Sequence, residues 1–352
     1  MDTGRAVPGQ AHEASQFDLM RERRFAPFFW TQFLGAANDN VFKNALVIFV
    51  AFQAAGMTSM DPNTLVNLAG AVFIAPFMLL SAMGGQLADK FEKSRLIRAI
   101  KLFEIAIMAV GLAGFWMRDL ATLFAALALM GVHSTLFGPV KYAILPQHLK
   151  PDELIGGNGL VEMGTFVAIL LGTIGGGLLI GGLGERGALA TAAAGLAIAL
   201  AGRIAAQFVP HSPAADPGLL INWNPFTETW RNLKLAHGNI VVFRSLLGIS
   251  WMWFFGAVFL SQFPSFAKEV LHGNEQVASL LLVVFSIGIG VGSLMCEMLS
   301  RRHVEIGLVP LGAIGMSVFS IDLYFASTGL PAATGLTLSQ FIAQPAHWRV
   351  MA

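Results

Sequence analysis

The chain has 352 residues, of which 55% are hydrophobic and 12% are charged. A soluble domain carries about 25% charged residues, so this composition predicts a protein embedded in a lipid bilayer and excludes an ordinary soluble enzyme. The 22 basic and 21 acidic residues leave a net charge of +1, which gives no basic field for nucleic acid, and one cysteine excludes an internal disulfide or a cysteine-rich metal site.

Residues 1–24 mix acidic and basic side chains and lack the apolar core of a signal peptide, so we interpret them as a cytoplasmic tail. Nine apolar runs follow, each about long enough to cross roughly 30 Å of hydrocarbon as a helix. They predict an all-α membrane protein. The predicted spans are 27–52, 64–87, 96–117, 120–144, 158–182, 187–208, 241–266, 277–299 and 305–326.

The basic residues alternate between the links that join these spans. The links after spans one, three and five hold only Arg118 and Arg186. Lysine and arginine concentrate on the cytoplasmic side of membrane proteins, so the alternation predicts a cytoplasmic N-terminus. The bases that surround the link between spans two and three are Lys90, Lys93, Arg95, Arg98 and Lys101.

Residues 209–240 interrupt the apolar pattern with four prolines. We therefore predict an N-terminal six-helix half over 25–208, a cytoplasmic linker over 209–240 and an incomplete C-terminal half over 241–352. Because the chain ends where a tenth span would begin, about nine of twelve spans are expected, as in a truncated product or a fragment.

A short helix is predicted inside the linker. Asn224 followed by Pro225 is typical of a capped helix start, and Phe226, Trp230 and Leu233 would form an apolar stripe. The helix lies either on the membrane surface or in solvent as a linker helix.

An internal repeat supports two related halves. The stretches 84–93 and 292–301 each carry an acidic residue, Asp89 or Glu297, with glycine five positions before it and a base four positions after it. Their separation of about one six-helix unit is typical of transporters with parallel repeats.

The loop over residues 85–95 resembles the signature loop of the major facilitator superfamily. Gly85 would let a neighbouring helix approach closely, and Asp89 would meet a base or a helix N-terminus and so close the cytoplasmic side. Lys93 and Arg95 join them as predicted gating residues. The alternative is a basic loop that only obeys the positive-inside rule.

Span one places polar side chains near the middle of the bilayer. A charge at that depth costs a few kcal/mol, so Asp39 and Lys43 should face the bundle interior or a wet cavity. Their spacing of four residues favours an ion pair on one helix face. Either they bind a ligand or they form a neutralised packing pair, and the nearby Asn38, Asn40 and Asn44 favour the ligand site.

Three stretches, 32–40, 137–146 and 157–172, resemble the bacterial lysophospholipid transporter family. They are most similar to its branch fused ahead of a glycerophospholipid acyltransferase and an acyl-carrier-protein ligase. The resemblance runs from about residue 25 to the end of the chain and implies a twelve-span fold of the major facilitator type in the bacterial inner membrane.

The resemblance also implies a function. It predicts a secondary transporter that moves a lysophosphatidylethanolamine-like lipid to the inner leaflet for reacylation, with an acyltransferase as a possible partner. The implied substrate-binding residues are Asp39, Asn40, Lys43, Lys141 and Glu162. Two plainer alternatives are a positive-inside lysine at Lys141 and a helix N-terminal carboxylate at Glu162.

Two other functions stay open from the sequence: a small-solute or drug exporter of the same superfamily, and a membrane anchor of an acyltransferase that transports nothing. No cofactor is predicted, because the glycine runs at 172–177 and 288–292 lie in apolar spans and favour close helix packing. No nucleophile elbow, phosphate loop or metalloprotease motif occurs, and a pattern from His211 to Asp216 is a chance match in the linker.

Overall fold

The computed structural model describes residues 15–52, 57–183, 186–301, 303–330 and 335–351, so most of the predicted tail over 1–24 lies outside the described residues. Each predicted span lies on a long helix to within four residues at either end. The long helices are α1 (Ala26–Phe52), α2 (Pro62–Lys90), α3 (Lys93–Met117), α4 (Leu120–Ala143), α6 (Leu154–Gly182), α7 (Gly187–Gln207), α9 (Ile240–Glu269), α10 (Glu275–Ser300) and α11 (Leu308–Ser327). The shorter ones are α5 (Leu145–His148), α8 (Pro225–His237) and α12 (Leu338–Ala343), and single 3-10 turns cover Gln16–Arg21 and Pro345–Met351.

Seven helices in the described part of the chain are long and apolar enough to cross a membrane: α2, α4, α6, α7, α9, α10 and α11. The two other long helices, α1 and α3, carry several of the buried polar side chains of the bundle, among them Asn38, Lys101 and Glu104. The prediction of an all-α membrane protein is confirmed.

Polar residues before the helices satisfy the free amides of the first turn. Asp61 accepts from the Thr64 amide at the start of α2, and Asp119 accepts from the Thr122 amide at the start of α4. Asn224 accepts from two amides at the start of α8, as the sequence predicts. On α8, Trp230 remains exposed, whereas Glu228 is buried; whether this helix lies on the membrane stays a prediction.

Glycines bring α1 and α6 into direct backbone contact. A Cβ at Gly172 would lie 2.4 Å from the Ala37 carbonyl oxygen, and one at Gly176 would lie 2.5 Å from that of Val41. The close packing predicted for this glycine run is therefore confirmed at these two glycines. In the second run it is wrong at Gly288, where a Cβ would meet nothing within 4 Å.

Helices α9 to α12 surround a hydrophobic cluster of their own, built on residues such as Phe263, Val277 and Phe341. This part contacts the first six long helices mainly through α10 and α6. A Cβ at Gly159 would lie 2.6 Å from the Ser293 carbonyl oxygen, so the two helices touch backbone to backbone. The division into two halves stays a prediction.

The linker lies across one end of the bundle, where α2 ends and α3 begins; we call this the linker end. Ser212 is fully buried there, and its amide donates to the Glu92 carboxylate over 2.7 Å. The Asn222 backbone exchanges two hydrogen bonds with the Gln86 side chain. The linker is thereby hydrogen-bonded both to the last turns of α2, through Gln86, and to the link between α2 and α3, through Glu92.

Candidate functional site

A pocket of about 240 Å³ lies within the first six long helices. Its polar wall combines a carboxylate, an imidazole, two ammonium groups and four hydroxyls in an otherwise apolar bundle. Such convergent polar groups are typical of ligand sites in membrane proteins. The lining residues are Thr31, Gln32, Gly35, Ala36, Asp39, Phe77, Lys101, His133, Ser134, Phe137, Gly138, Lys141, Tyr142 and Thr165.

Asp39 is the acidic group of this pocket. Small residues, Gly35 and Ala36, precede it by one turn and leave room on that face of α1. The Ser134 hydroxyl donates to one Asp39 carboxylate oxygen over 2.5 Å, and Nδ1 of His133 lies 3.9 Å from the other. The Asp39 side chain is 14% exposed, so a molecule in the pocket can reach it.

Behind Asp39 lies a buried polar cluster that joins three helices. Nε2 of His133 on α4 lies 3.3 Å from a carboxylate oxygen of Glu104 on α3. Lys101 forms an ion pair with the same carboxylate, and the Asn38 amide on α1 donates to its other oxygen over 2.7 Å. The Glu104 side chain has no exposed area at all.

Lys101, Glu104 and His133 are site residues that were not predicted from the sequence. Lys101 is one of the bases predicted to surround the link between spans two and three, and its side chain is buried inside α3. Gly202 makes this burial possible, since its Cβ would lie only 2.7 Å from the Lys101 ammonium. The signal that could have found the cluster is the spacing of Lys101 and Glu104 inside an apolar span.

Lys141 is the basic group at another part of the pocket wall. Its ammonium donates to the Thr165 hydroxyl over 2.7 Å and lies 3.9 Å from the Glu162 carboxylate. The Tyr142 hydroxyl hydrogen-bonds to the same carboxylate, and Gln32 accepts from Thr165 over 3.1 Å. Glu162 therefore acts on the pocket through Lys141 and Tyr142, which line it.

Two of the predicted binding residues point elsewhere. The Asn40 amide donates back to the Ala36 carbonyl over 2.8 Å, on the face that packs against Gly172. The Lys43 ammonium lies 5.2 Å from the ring centroid of Phe73 on α2. The expected ion pair between Asp39 and Lys43 is replaced by contacts of Asp39 with Ser134 and His133 on α4. The binding roles of Asn40 and Lys43 stay predictions.

The predicted gating residues lie at the linker end. The close helix contact expected at Gly85 occurs one residue earlier: a Cβ at Gly84 would lie 3.0 Å from the Thr135 carbonyl oxygen, whereas one at Gly85 would meet nothing within 4 Å. Lys93 is buried and donates to the Pro213 carbonyl of the linker.

The other two gating residues are more exposed. Asp89 accepts from the Asp216 amide through its backbone carbonyl, over 2.9 Å. The Arg95 side chain is 83% exposed and lies 3.9 Å from Glu92. The structure thus brings these residues to one end of the bundle but does not bring them into the pocket.

The sequence profile described as the Major Facilitator Superfamily matches residues 28–351. The lysophospholipid transporter LplT of Salmonella heidelberg is 32% identical over 304 residues, which are 83% of this chain and 70% of that protein. The chain belongs to the lysophospholipid transporter family of the major facilitator superfamily. It is therefore a multi-pass membrane protein of a transporter family rather than of an enzyme family.

A further family member is similar in sequence, and two solved structures are similar in fold. The lysophospholipid transporter LplT of Serratia proteamaculans is 27% identical over 269 residues, which are 74% of this chain and 62% of that protein. An outward-facing bacterial homologue of the iron transporter ferroportin is similar in fold, with a TM-score of 0.60, 16% identity and coverage of 93% of this chain and 80% of the other. A peptide transporter POT in complex with sulfate has a TM-score of 0.53 and 17% identity, and the match covers 98% of this chain and 81% of that chain.

Proposed function

We propose that this family member carries lysophospholipid across the bacterial inner membrane, from the outer to the inner leaflet. The observation that carries the proposal is the pair of opposite charges on one pocket wall, Asp39 on α1 and Lys141 on α4. A zwitterionic head group such as phosphoethanolamine presents an ammonium for the first and a phosphate for the second.

The size of the pocket supports a head-group site. A volume of about 240 Å³ is below the range of roughly 300–1,000 Å³ usual for whole drug-sized ligands. An acyl chain requires no polar partner and can remain among apolar side chains or in lipid. The pocket would therefore hold the charged head while the tail stays outside it.

Gating is proposed for the linker end. Gly85, Asp89, Lys93 and Arg95 lie there, at the end where α6 and α10 touch. Rocking of one half against the other would open and close this end around the pocket. The N-terminus and the linker would be cytoplasmic, and the lipid delivered to the inner leaflet would be reacylated by an acyltransferase partner.

The test is an uptake assay in cells that reacylate labelled lysophosphatidylethanolamine. We expect Asp39→Ala to abolish uptake, because the ammonium loses its counter-charge. Lys150→Gln is the matched control, since this lysine is exposed near the linker end and outside the pocket. Unchanged uptake for Asp39→Ala would remove Asp39 from the mechanism, and inhibition of uptake by small cationic solutes alone would favour an exporter.

A further inference from the structure

The histidine in the pocket wall, His133, lies between two carboxylates that come from different helices. Nε2 of His133 faces Glu104 at 3.3 Å, and Nδ1 approaches Asp39 at 3.9 Å. The His133 ring is 3% exposed. Neither of its two nitrogens, nor the facing carboxylate oxygen of Asp39 or of Glu104, forms a hydrogen bond of good geometry. The buried imidazole therefore lacks the hydrogen bonds that buried polar groups usually form.

A neutral imidazole has one N–H donor and one lone pair. With a carboxylate oxygen at each nitrogen, the neutral ring must turn its lone pair toward one of two anions. One further proton removes this conflict, because it makes the ring a donor at both nitrogens or turns one carboxylate into a donor. The side chains of Asp39, Glu104 and His133 are therefore arranged so that they can bind one additional proton.

The charges within the cluster lead to the same conclusion. Asp39 and Glu104 bring two negative charges, and Lys101 brings one positive charge. A net charge in the interior of a bundle is costly, and one proton neutralises this group. Lys43 follows Asp39 by one turn, but its ammonium lies over the Phe73 ring.

The other surrounding helices offer few charged side chains near His133. On α2 the only acidic or basic residues are Asp89 and Lys90, both at the linker end, and on α7 the only one is Arg203, which follows the Gly202 that packs against Lys101. On α4 itself, Lys141 lies two turns from His133. Lys101 and His133 also line the pocket, but Asp39 is the most exposed member of the cluster.

We infer that Asp39, His133 and Glu104 form a proton-binding site that exchanges its proton for the ammonium of a bound head group. This inference rests on the proposed function only for the identity of that ammonium. With the proton bound, the Asp39 charge is balanced by the cluster. Once the proton leaves through the pocket, the Asp39 carboxylate is available for the ammonium, so the two cations compete.

The experiment measures proton release when lipid binds to the purified full chain in nanodiscs, with a pH indicator in weakly buffered solution. We expect lysophosphatidylethanolamine to release up to about one proton per chain, and its affinity to fall about tenfold per pH unit on the acid side of the titration. Lysophosphatidylglycerol has no ammonium and should release none. Equal release by both lipids, or none by either once binding is shown, would overturn the inference.

Variants locate the proton. His133→Gln should bind lysophosphatidylethanolamine without proton release, whereas His237→Gln, at an exposed histidine on α8, should behave as wild type. Release that persists in a folded His133→Gln protein would overturn the assignment. If that variant does not fold, Glu104→Gln serves as the second, and the comparison of the two lipids on the wild type decides independently.

The proton site and the transport proposal can fail separately. A titration of the ligand-free chain should show one proton taken up by the wild type that His133→Gln does not take up. If this proton is present but no lysophospholipid binds, the proposed function fails and the proton site stands. If lysophospholipid binds but this proton is missing, the proton site fails and the proposed function stands.

Discussion

The guanidinium of Arg24 donates two hydrogen bonds, of 2.6 and 2.8 Å, to the carboxylate of Glu153. The pair ties the residues just before α1 to those just before α6, the two helices that pack most closely through their glycines. The Arg24 hydrogen bonds lower the pKa of Glu153 to about 2, below its ordinary value of 4.5.

This pair predicts a pH-dependent stability. A lowered carboxyl pKa stabilises the fold above pH 4.5, and the contribution is lost as the pH falls toward 2. We expect Glu153→Gln to lower the unfolding temperature at pH 7 by an amount that reflects about 1 kcal/mol, because both side chains are partly exposed. Thermal unfolding in detergent from pH 7 to 3 measures it.

The difference from wild type should shrink as the pH is lowered. Asp152→Asn is the control, since Asp152 is the exposed neighbour of Glu153. A difference as large at pH 3 as at pH 7 would contradict the role given to the Arg24 pair.

The basic group of the pocket predicts a substrate effect. Lys141→Gln should reduce uptake of lysophosphatidylethanolamine at least tenfold, because the phosphate loses a charged hydrogen-bond donor in a poorly hydrated site. Thr165→Val, which removes the hydroxyl that accepts from Lys141, should have a smaller effect. Equal uptake by Lys141→Gln and wild type would place the phosphate elsewhere.

The contact between α1 and α6 predicts a sharp difference within one glycine run. Gly176→Ala would put a methyl group 2.5 Å from the Val41 carbonyl oxygen, whereas Gly175→Ala would meet nothing within 4 Å. We expect the first variant to lose about 1–3 kcal/mol through overpacking and the second to remain near wild type. Thermal unfolding followed by size-exclusion chromatography separates them, and equal loss in both would argue against a backbone contact between Gly176 and Val41.

The contact between Glu92 and the linker predicts a local change in the protection of backbone amides from hydrogen exchange. Glu92 is partly buried, which opposes its charged form, but hydrogen bonds from Ser212, Ser94 and Arg95 outweigh this and hold its pKa below the ordinary value. Glu92→Gln should therefore loosen the linker. Hydrogen exchange over residues 209–222 should rise, while exchange in α7 stays unchanged; a uniform rise across the chain would indicate general destabilisation instead.

The proposed orientation predicts which loops react from which side. In a Cys296→Ser background, Lys150→Cys should react with a membrane-impermeant thiol reagent in inside-out vesicles, and Met60→Cys should react in intact spheroplasts. Both positions are exposed and lie at opposite ends of the bundle. The reverse pattern would place the linker end outside the cytoplasm.

The helices could be predicted from the sequence because apolar runs of this length have few other folds in lipid. Asp39 could be predicted as a pocket residue because a charge inside a span needs a polar surrounding. Lys141 was predicted only through the resemblance to the transporter family. Glu104 could have been predicted in the same way as Asp39, from its spacing to Lys101 inside an apolar span. His133 could not, since both of its carboxylate partners come from other helices and nothing in α4 alone shows which faces meet. The close helix contact was predicted at Gly85 rather than at Gly84 because α2 alone does not show which of its faces meets α4.

The backbone contacts of Gly172 and Gly176 with α1 leave no side chain that could shift to absorb a displacement between these helices. Helices α1 and α6 are therefore expected to move as one rigid unit. Asp39 lies on α1 of this unit, and Gly159, which contacts the Ser293 carbonyl of α10, lies on α6. Occupation of the acidic residue by a cation would be transmitted mechanically to the junction with the remaining helices.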